Sequence, residues 1–261
     1  MPKCKDIIAA MEEIAPVRLA YSWDNPGLMC GDRNMEISKI LVSLDVDDNV
    51  ITEAAEKGAN MIVTHHPMIF RPVKSVTADD KTGRYLIRLI KNNTAVFSAH
   101  TNLDMSNIGT NAELAKILEL KDVEFLMPSE DGIYAMGRVG TLEKKVTVEE
   151  FGGFVKKKLG LKNMVISKAG EYVSKIGLCT GHGCDKEFLK AALDKGCDGF
   201  VSGDIGYHEA QEALAMGISL FDGTHYGTET IVTKPVAEFL RNRFDIEIII
   251  SKTDGQTLKI I

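Results

Sequence analysis

The feature that most constrains this chain is a repeated alternation of amphipathic helix and short apolar strand, in which the strands run straight into histidine or aspartate. Ile7, Ile8, Met11 and Ala15 recur at helical spacing and stop at Pro16, so the chain opens with a helix. A Pro/Gly-bearing loop, Tyr21 to Gly31, leads to Ile40–Leu44, a continuous apolar run of the kind a strand covered on both faces requires. Asp48 is placed to cap a helix over Val50–Lys57, Gly58 to end it, and Met61–Thr64 to form the next strand. Tyr85, Leu86, Leu89 and Ile90 then mark a helix face, Ala95–Ala99 a strand and Ala112–Leu118 a helix. Such βαβ alternation implies an α/β fold with mainly parallel or mixed sheets covered by helices.

The middle of the chain reads differently. Ile133–Leu142 looks extended, Thr147 with Glu150 fits a capping box for a helix to Leu159, and Met164–Ser167 and Ile176–Cys179 look like strands. A helix over Glu187–Lys195, a strand at Phe200–Ser202, a helix over Glu209–Met216 and a strand at Ser219–Phe221 come next. A helix near Thr230–Phe244, with Pro235 as a candidate kink, precedes the apolar strand Glu247–Ser251. No later helix covers that strand, so it is expected to join a sheet formed earlier. The organisation expected is two interleaved α/β domains, residues 1–126 with 230–261 and residues 127–229.

With 44% hydrophobic and 26% charged residues the 261-residue chain can bury sizeable cores and is neither disordered nor fibrous. A net charge of -6 without charge blocks gives no global footprint of a nucleic-acid binder. The opening residues carry too short an apolar run for a signal peptide, and no stretch approaches a bilayer span. Five cysteines without a CxxC pair argue against a disulfide framework, and the expected location is the cytoplasm. Cys179 and Cys184 bracket His182 and could be read as soft metal ligands, although burial beside a strand is the simpler reading.

Three segments share one plan: Glu53–His66, Lys190–Asp204 and, more loosely, Glu212–His225 each run from a helix end through a glycine and a strand to His or Asp. Any αβ unit with a glycine cap gives such a likeness. What is kept from it is the strand ends, because open α/β sheets place ligands beyond the carboxyl ends of their strands. One histidine at a strand end is usually structural. Here there are His65, His66, His100 and His225.

Neighbouring side chains in a strand point to opposite faces, so His65 and His66 cannot readily chelate one ion while the strand continues; at its end they can reach two. Pro67 ends the strand there. If a helix begins near His225, the spacing of four puts Glu229 on the same face, where its carboxylate can bridge two cations. Mixed imidazole and carboxylate donors suit zinc, iron, manganese or cobalt. Spacing alone does not bring residues 65, 104 and 225 together.

The motifs DNPGLMCGD, VTHHPMIF, SAHTNLD, SGDIGYHEAQEA and DGTHYGTE, in this order, resemble those of the Nif-three-like family, whose bacterial members are commonly labelled GTP cyclohydrolase 1 type 2 homologues. The likeness runs from about Trp23 to Glu229. It implies a two-domain α/β protein that assembles into a toroidal homohexamer and holds two divalent metal ions per chain in the inter-domain cleft. Matched residue by residue, the metal ligands fall on His65, His66, Asp104, His225 and Glu229, and the chain is a short form without the inserted domain of longer members. Two departures stand out. Thr224 replaces the usual glycine before the histidine, where it would tighten the approach to the metal, and His182 stands in a turn that more often carries Gly or Ser, where it would add a residue to the cleft.

Other polar residues are open to two readings. His100 either orients a ligand or shuttles protons, or else holds the loop that presents Asp104. Asp204 and His208 either form an acid/base pair beside the metals or serve as a helix cap and a surface residue. Asp45 is either a partner of a ligand or another cap. For Trp23, Asp24 and Asn25 the structural reading, a loop locked onto a core, is preferred. There is no P-loop pattern and no guanine-reading motif. The leading expectation is a metal-dependent hydrolase in which the cations lower the pKa of a bound water, with a nucleotide substrate suggested by the family label, His100, Asp204 and His208 as catalytic candidates, and no membrane partner. The alternative is a non-catalytic metal-binding regulatory or metal-handling protein, and open coordination positions facing a nucleotide-sized cleft would favour the enzyme.

Overall fold

A computed structural model describes residues 1–258. Residues 259–261, which the expected first domain includes, lie outside the described residues. The chain divides into two compact units, one formed by Met1–Leu103 and Val232–Gly255, the other by Asp104–Ile231 and residues 256–258.

The first unit contains α1 (Cys4–Ile14), β1 (Gly27–Cys30), β2 (Lys39–Ser43), α2 (Asp48–Lys57), β3 (Met61–Thr64), α3 (Lys81–Lys91) and β4 (Ala95–Ser98), and it receives α10 (Thr233–Arg243) and β11 (Glu247–Ile250) from the end of the chain. Its sheet has the order β1-β4-β3-β2-β11; β11, β2, β3 and β4 run parallel and β1 lies antiparallel on the edge. Alternation along the strands explains why β2, β3 and β4 read as unbroken apolar runs. Ile40, Val42, Met61, Val63, Ala95, Phe97 and Ile248 face α1 and α10. Leu41, Ile62 and Val96, on the other face, meet Val50, Ile51 and Ala54 of α2 and Tyr85 and Leu89 of α3. Both faces are therefore apolar, as a sheet covered twice demands.

Local chemistry sets the element ends, with some differences from the sequence reading. Asp47, not Asp48, caps α2, its side chain accepting from the Val50 amide, and Gly58 ends the helix in the left-handed conformation. Pro235 does not kink α10. It falls in the first turn, where the missing amide hydrogen costs no intrahelical bond. The loop from Tyr21 contains β1, hidden in the sequence because Pro26, Gly27 and Gly31 read as turn residues.

The strand β11 pairs with β2, and the residues beyond its end are fastened to α2. Glu53 accepts from Ser251 Oγ at 2.5 Å, the Lys252 amide at 3.1 Å and Thr253 Oγ1 at 3.1 Å, and pairs with Lys57 at 2.9 Å. Burial pushes the Glu53 carboxyl up, but these donors outweigh it and hold it at about 2, against an ordinary 4.5. A depressed folded value means that the carboxylate's contribution is complete above the unfolded value and is lost as pH falls through the folded one. Glu53→Gln is therefore expected to lower the melting temperature by a few degrees at about pH 7, and this deficit is expected to shrink markedly as the pH falls to about 2, read by circular dichroism melts. An equal deficit at both pH values would show that charge is not what holds the segment.

The second unit contains α5 (Thr110–Ile117), β5 (Lys121–Pro128), β6 (Ala135–Thr147), α6 (Val148–Lys158), β7 (Val165–Ser167), β8 (Tyr172–Leu178), α7 (Lys186–Asp194), β9 (Gly199–Ser202), α8 (Tyr207–Met216), β10 (Ser219–Asp222) and the five-residue α9 (His225–Glu229). A one-turn helix, α4 (Thr101–Asp104), carries the chain across the division. The sheet order is β5-β6-β8-β9-β10-β7, with β8, β9 and β10 parallel and the other pairings antiparallel. Both sheets are thus mixed. Leu114 and Ala115 of α5 with Leu118 at its C-terminal cap, and Val148, Phe151 and Val155 of α6, cover one face, and Phe188, Leu189 and Ala192 of α7 with Ala213 of α8 cover the other. The expected capping box of Thr147 and Glu150 is present.

The division after Leu103 differs from the expected boundary at 126, and its reason is packing: α5 buries its apolar face in the second core, and β5 pairs with β6. The sequence pattern shows no strand at β5 because the element is mostly exposed and only Leu126 is buried. Among the described residues no helix is long and apolar enough to cross a membrane.

Candidate metal centre

In the first unit the carboxyl ends of three neighbouring parallel strands lie in register, Ser43 beside Thr64 and Thr64 beside Ser98. The residues just beyond them are Asp45, the His65-His66 pair and His100, so parallel pairing brings together groups distant in sequence. His65, His66 and His100 each offer a ring nitrogen, the three lying within 4.8 Å of one another.

The hydrogen bonds at the opposite ring nitrogens carry more information than this proximity. His65 Nδ1 lies 2.9 Å from the Ala99 carbonyl, His66 Nδ1 2.8 Å from Asp45 Oδ1 and His100 Nδ1 2.8 Å from Asp24 Oδ1. A carbonyl or an ionised carboxylate can only accept, so in each pair the Nδ1–H donates. A neutral ring then carries its lone pair on Nε2, the form that binds a metal cation, and its orientation is set by the oxygen behind it. Asp24 is suited to this. Its side chain is fully covered, yet donation from His100, from Thr101 Oγ1 (2.6 Å) and from the Thr101 and Asn25 amides outweighs the upward push of burial and holds the carboxyl at about 2.

The second unit repeats the device. Ser202 of β9 sits beside Asp222 of β10, and beyond these ends Asp204 receives His225 Nδ1 at 2.8 Å. Because α9 begins at His225, the spacing of four places Glu229 on the same helical face, and His225 Nε2 lies 2.9 Å from Glu229 Oε2. Thr224 caps this helix, its hydroxyl accepting from the Gly227 amide at 3.0 Å, with φ of 60°. That left-handed conformation gives a physical reason for glycine at this position, and the hydroxyl cap offsets the strain that threonine brings. Asp104 is buried at 7% exposure; Thr110 Oγ1 donates to its carboxylate, and Thr180 Oγ1 donates to Thr110 at 2.7 Å.

Several sequence expectations take a definite form here. Asp45 is a histidine partner, not a cap. Asp24, read from the sequence as structural, fixes both the His100 ring and the start of α4, and the only signal for it was its place beside Trp23 in DNPGLMCGD. Asp204 is not paired with His208. His208 lies on the exposed side of α8 with its ring against Tyr207 at 5.5 Å, and Gly206, rather than Asp204, caps that helix. His182 is exposed in the turn after β8. His100, expected as an acid/base or loop-holding residue, has a ring nitrogen within 4.8 Å of one on each of the other two histidines, so its geometry equally suits a ligand. All five cysteines are free. Cys179 and Cys184 are buried, and burial raises both thiols, Cys184 to about 12, so neither is available as a thiolate.

The donor chemistry fits a metal: imidazoles held at Nδ1 by oxygen acceptors, gathered as His65, His66 and His100 in the first unit and standing as His225 beside the Glu229 carboxylate in the second. Among the described residues no other set has this character.

A sequence model of the family described as Duf34/NIF3 (NGG1p interacting factor 3) matches residues 2–256. A Clostridium perfringens protein named GTP cyclohydrolase 1 type 2 homolog is 40% identical over 254 residues, covering 96% of each chain. The crystal structure of a Staphylococcus aureus protein superposes with a TM-score of 0.93 at 26% identity, covering 100% of this chain and 99% of that one. Reduced HcgD from Methanocaldococcus jannaschii gives a TM-score of 0.83 at 34% identity, covering 97% and 98%.

Proposed function

On the premise that this chain belongs to the Duf34/NIF3 family, we propose that His65, His66, Asp104, His225 and Glu229 are ligands of divalent cations, two per chain, and that the protein is a metal-dependent hydrolase acting on a nucleotide or related compound. The observation that carries this reading is the set of four imidazoles, His65, His66, His100 and His225, each held at Nδ1 by an oxygen acceptor so that Nε2 is presented. The name of the Clostridium perfringens relative supports the nucleotide. A toroidal homohexamer belongs to the same proposal and is tested by light scattering.

Divalent cations at such a site lower the pKa of a coordinated water and polarise the bond that is attacked. The rest of the chemistry falls to the chain. Asp45, Asp204 and the Ala99 carbonyl keep His66, His225 and His65 in the tautomer that offers Nε2. Asp24, ionised at neutral pH, accepts from His100 Nδ1 and so holds the ring with Nε2 as the nitrogen that takes or returns a proton. Thr110 holds one oxygen of Asp104 and so directs the other. His208, on the exposed side of α8, has no part in this scheme.

The test is elemental analysis of the purified protein followed by a nucleotide and phosphoester screen with zinc, iron, manganese and cobalt. Two equivalents of metal with metal-dependent turnover support the reading; two equivalents with no turnover on any substrate favour a metal-binding regulatory protein. Because imidazoles must be neutral to bind, metal content is expected to rise across roughly pH 5.5 to 7.5 in equilibrium dialysis. Loading independent of pH across that window would count against histidine ligation.

A further inference from the structure

Beside the three histidines of the first unit lies a group of aromatic rings that the proposed metal chemistry does not use. Tyr21 and Trp23 stack with centroids 5.5 Å apart and planes 19° from parallel, Phe70 approaches Trp23 at 6.0 Å, and the His100 ring meets Trp23 edge-on at 6.2 Å. Trp23 nevertheless remains 58% exposed, Phe70 47% and Tyr21 39%. Three exposed rings in one patch are an unusual use of apolar surface. They are also held firmly. Asp24 is tied to His100 and Thr101, the Tyr21 amide donates to Thr101 Oγ1 at 3.1 Å, and Asn25 Nδ2 donates to the Ile69 carbonyl at 2.6 Å, which joins the Trp23 loop to the segment bearing Phe70.

The chain next to Phe70 is basic. Arg71 and Lys74 are exposed and, among the described residues, make no ion pair. A rigid aromatic face, two uncommitted cations and an imidazole held by an ionised carboxylate are complementary to a planar ring that carries an anionic tail.

We propose that Trp23, supported by Tyr21 and Phe70, is the stacking platform for the purine ring of a nucleotide, with Arg71 and Lys74 receiving its phosphates and His100 at the edge of the bound ring. The choice of purine rests on the nucleotide reading above; the platform rests on the rings. Because the loop is fixed before the ligand arrives, little freedom is lost on binding. The fused indole matches a purine in extent, and stacking of this kind does not depend on the ring's hydrogen-bonding edge.

Trp23 is the only tryptophan in the chain, so its fluorescence reports on this site alone. The purified protein is titrated with GTP, with ATP and with tripolyphosphate. Both nucleotides are expected to quench Trp23 and tripolyphosphate is not. By calorimetry, Trp23→Ala is expected to weaken GTP binding about tenfold, while Trp23→Phe stays within about threefold of the wild type. Metal content is expected to be unchanged in both variants. No quenching by either nucleotide, or GTP affinity indifferent to Trp23→Ala, overturns the platform. A loss of oligomeric mass in Trp23→Ala with GTP affinity intact also overturns it and assigns the rings to a subunit contact. Quenching by GTP in a protein found to hold no metal supports the platform and removes only the metal reading.

Discussion

Replacing His225 by alanine is expected to reduce metal affinity by about a hundredfold or more and to abolish turnover, while leaving the melting temperature close to that of the wild type. His225 is 36% exposed at the side chain, so its removal opens no cavity in either core. His65→Ala should produce the same loss of metal with a second effect. His65 is 1% exposed and its Nδ1 satisfies the Ala99 carbonyl, itself part of a fully buried residue. Alanine leaves that carbonyl without its donor and the ring volume empty, which costs about 2 to 4 kcal/mol, or several degrees in melting temperature. The two variants thus separate metal binding from stability: one signal is shared and the other is not. Elemental analysis beside calorimetric melts checks both. If His225→Ala retained full metal content, the helical pair of His225 and Glu229 would be a structural ion pair, and the metal reading would lose two of its five proposed ligands.

That contrast arises from where each histidine sits, and much of that placement was legible in the sequence. Apolar runs at residues 40–44, 61–64 and 95–99 identify parallel strands covered on both faces, and the residues after each run are the ones the sheet gathers. Register does the gathering, because strands that start level end level. The spacing of four between His225 and Glu229 was equally readable, since it needs only a helix beginning at His225.

What the sequence hid has physical causes. The edge strands β1 and β5 lack the two-sided burial that makes a strand conspicuous: β1 is half-buried throughout and flanked by turn residues, and β5 is mostly exposed. The boundary near 103 was hidden because α5 shows an ordinary apolar face, and a face does not say which sheet it covers. Asp24 was hidden because its partners His100 and Thr101 lie 76 and 77 residues away, beyond any local pattern. The likeness between Glu53–His66 and Lys190–Asp204 corresponds to a shared device, a helix returning through a glycine to a parallel strand whose end offers a polar group. It does not extend to His208, because the second copy starts a helix at Tyr207 and turns that histidine outward.

The least visible determinant of the site carries no polar side chain at all. Gly181 lies just beyond β8 with φ of +60°, and a Cβ built there would collide with Glu229 Oε1 and lie 3.4 Å from His225 Nε2. The backbone cannot easily retreat. The Gly181 amide donates to Thr228 Oγ1 at 3.0 Å, and its carbonyl accepts from the Gly203 amide at 2.9 Å and from Ser202 Oγ at 3.3 Å. The Glu229 carboxylate, 4% exposed, would have to move instead. Gly181→Ala is therefore expected to lower metal affinity about 10- to 100-fold without touching a ligand, a loss like that from removing a residue that orients one. It should also cost about 1 to 2 kcal/mol in stability, because alanine is strained at positive φ. Gly196→Ala is the control: φ there is +74°, and a Cβ would meet nothing within 4 Å. The same backbone strain should lower its melting temperature to a similar degree while its metal content stays that of the wild type. If the two variants retained metal alike, Gly181 would matter only as a turn residue; if only Gly181→Ala lost it, the close approach of bare backbone to Glu229 would be part of the centre.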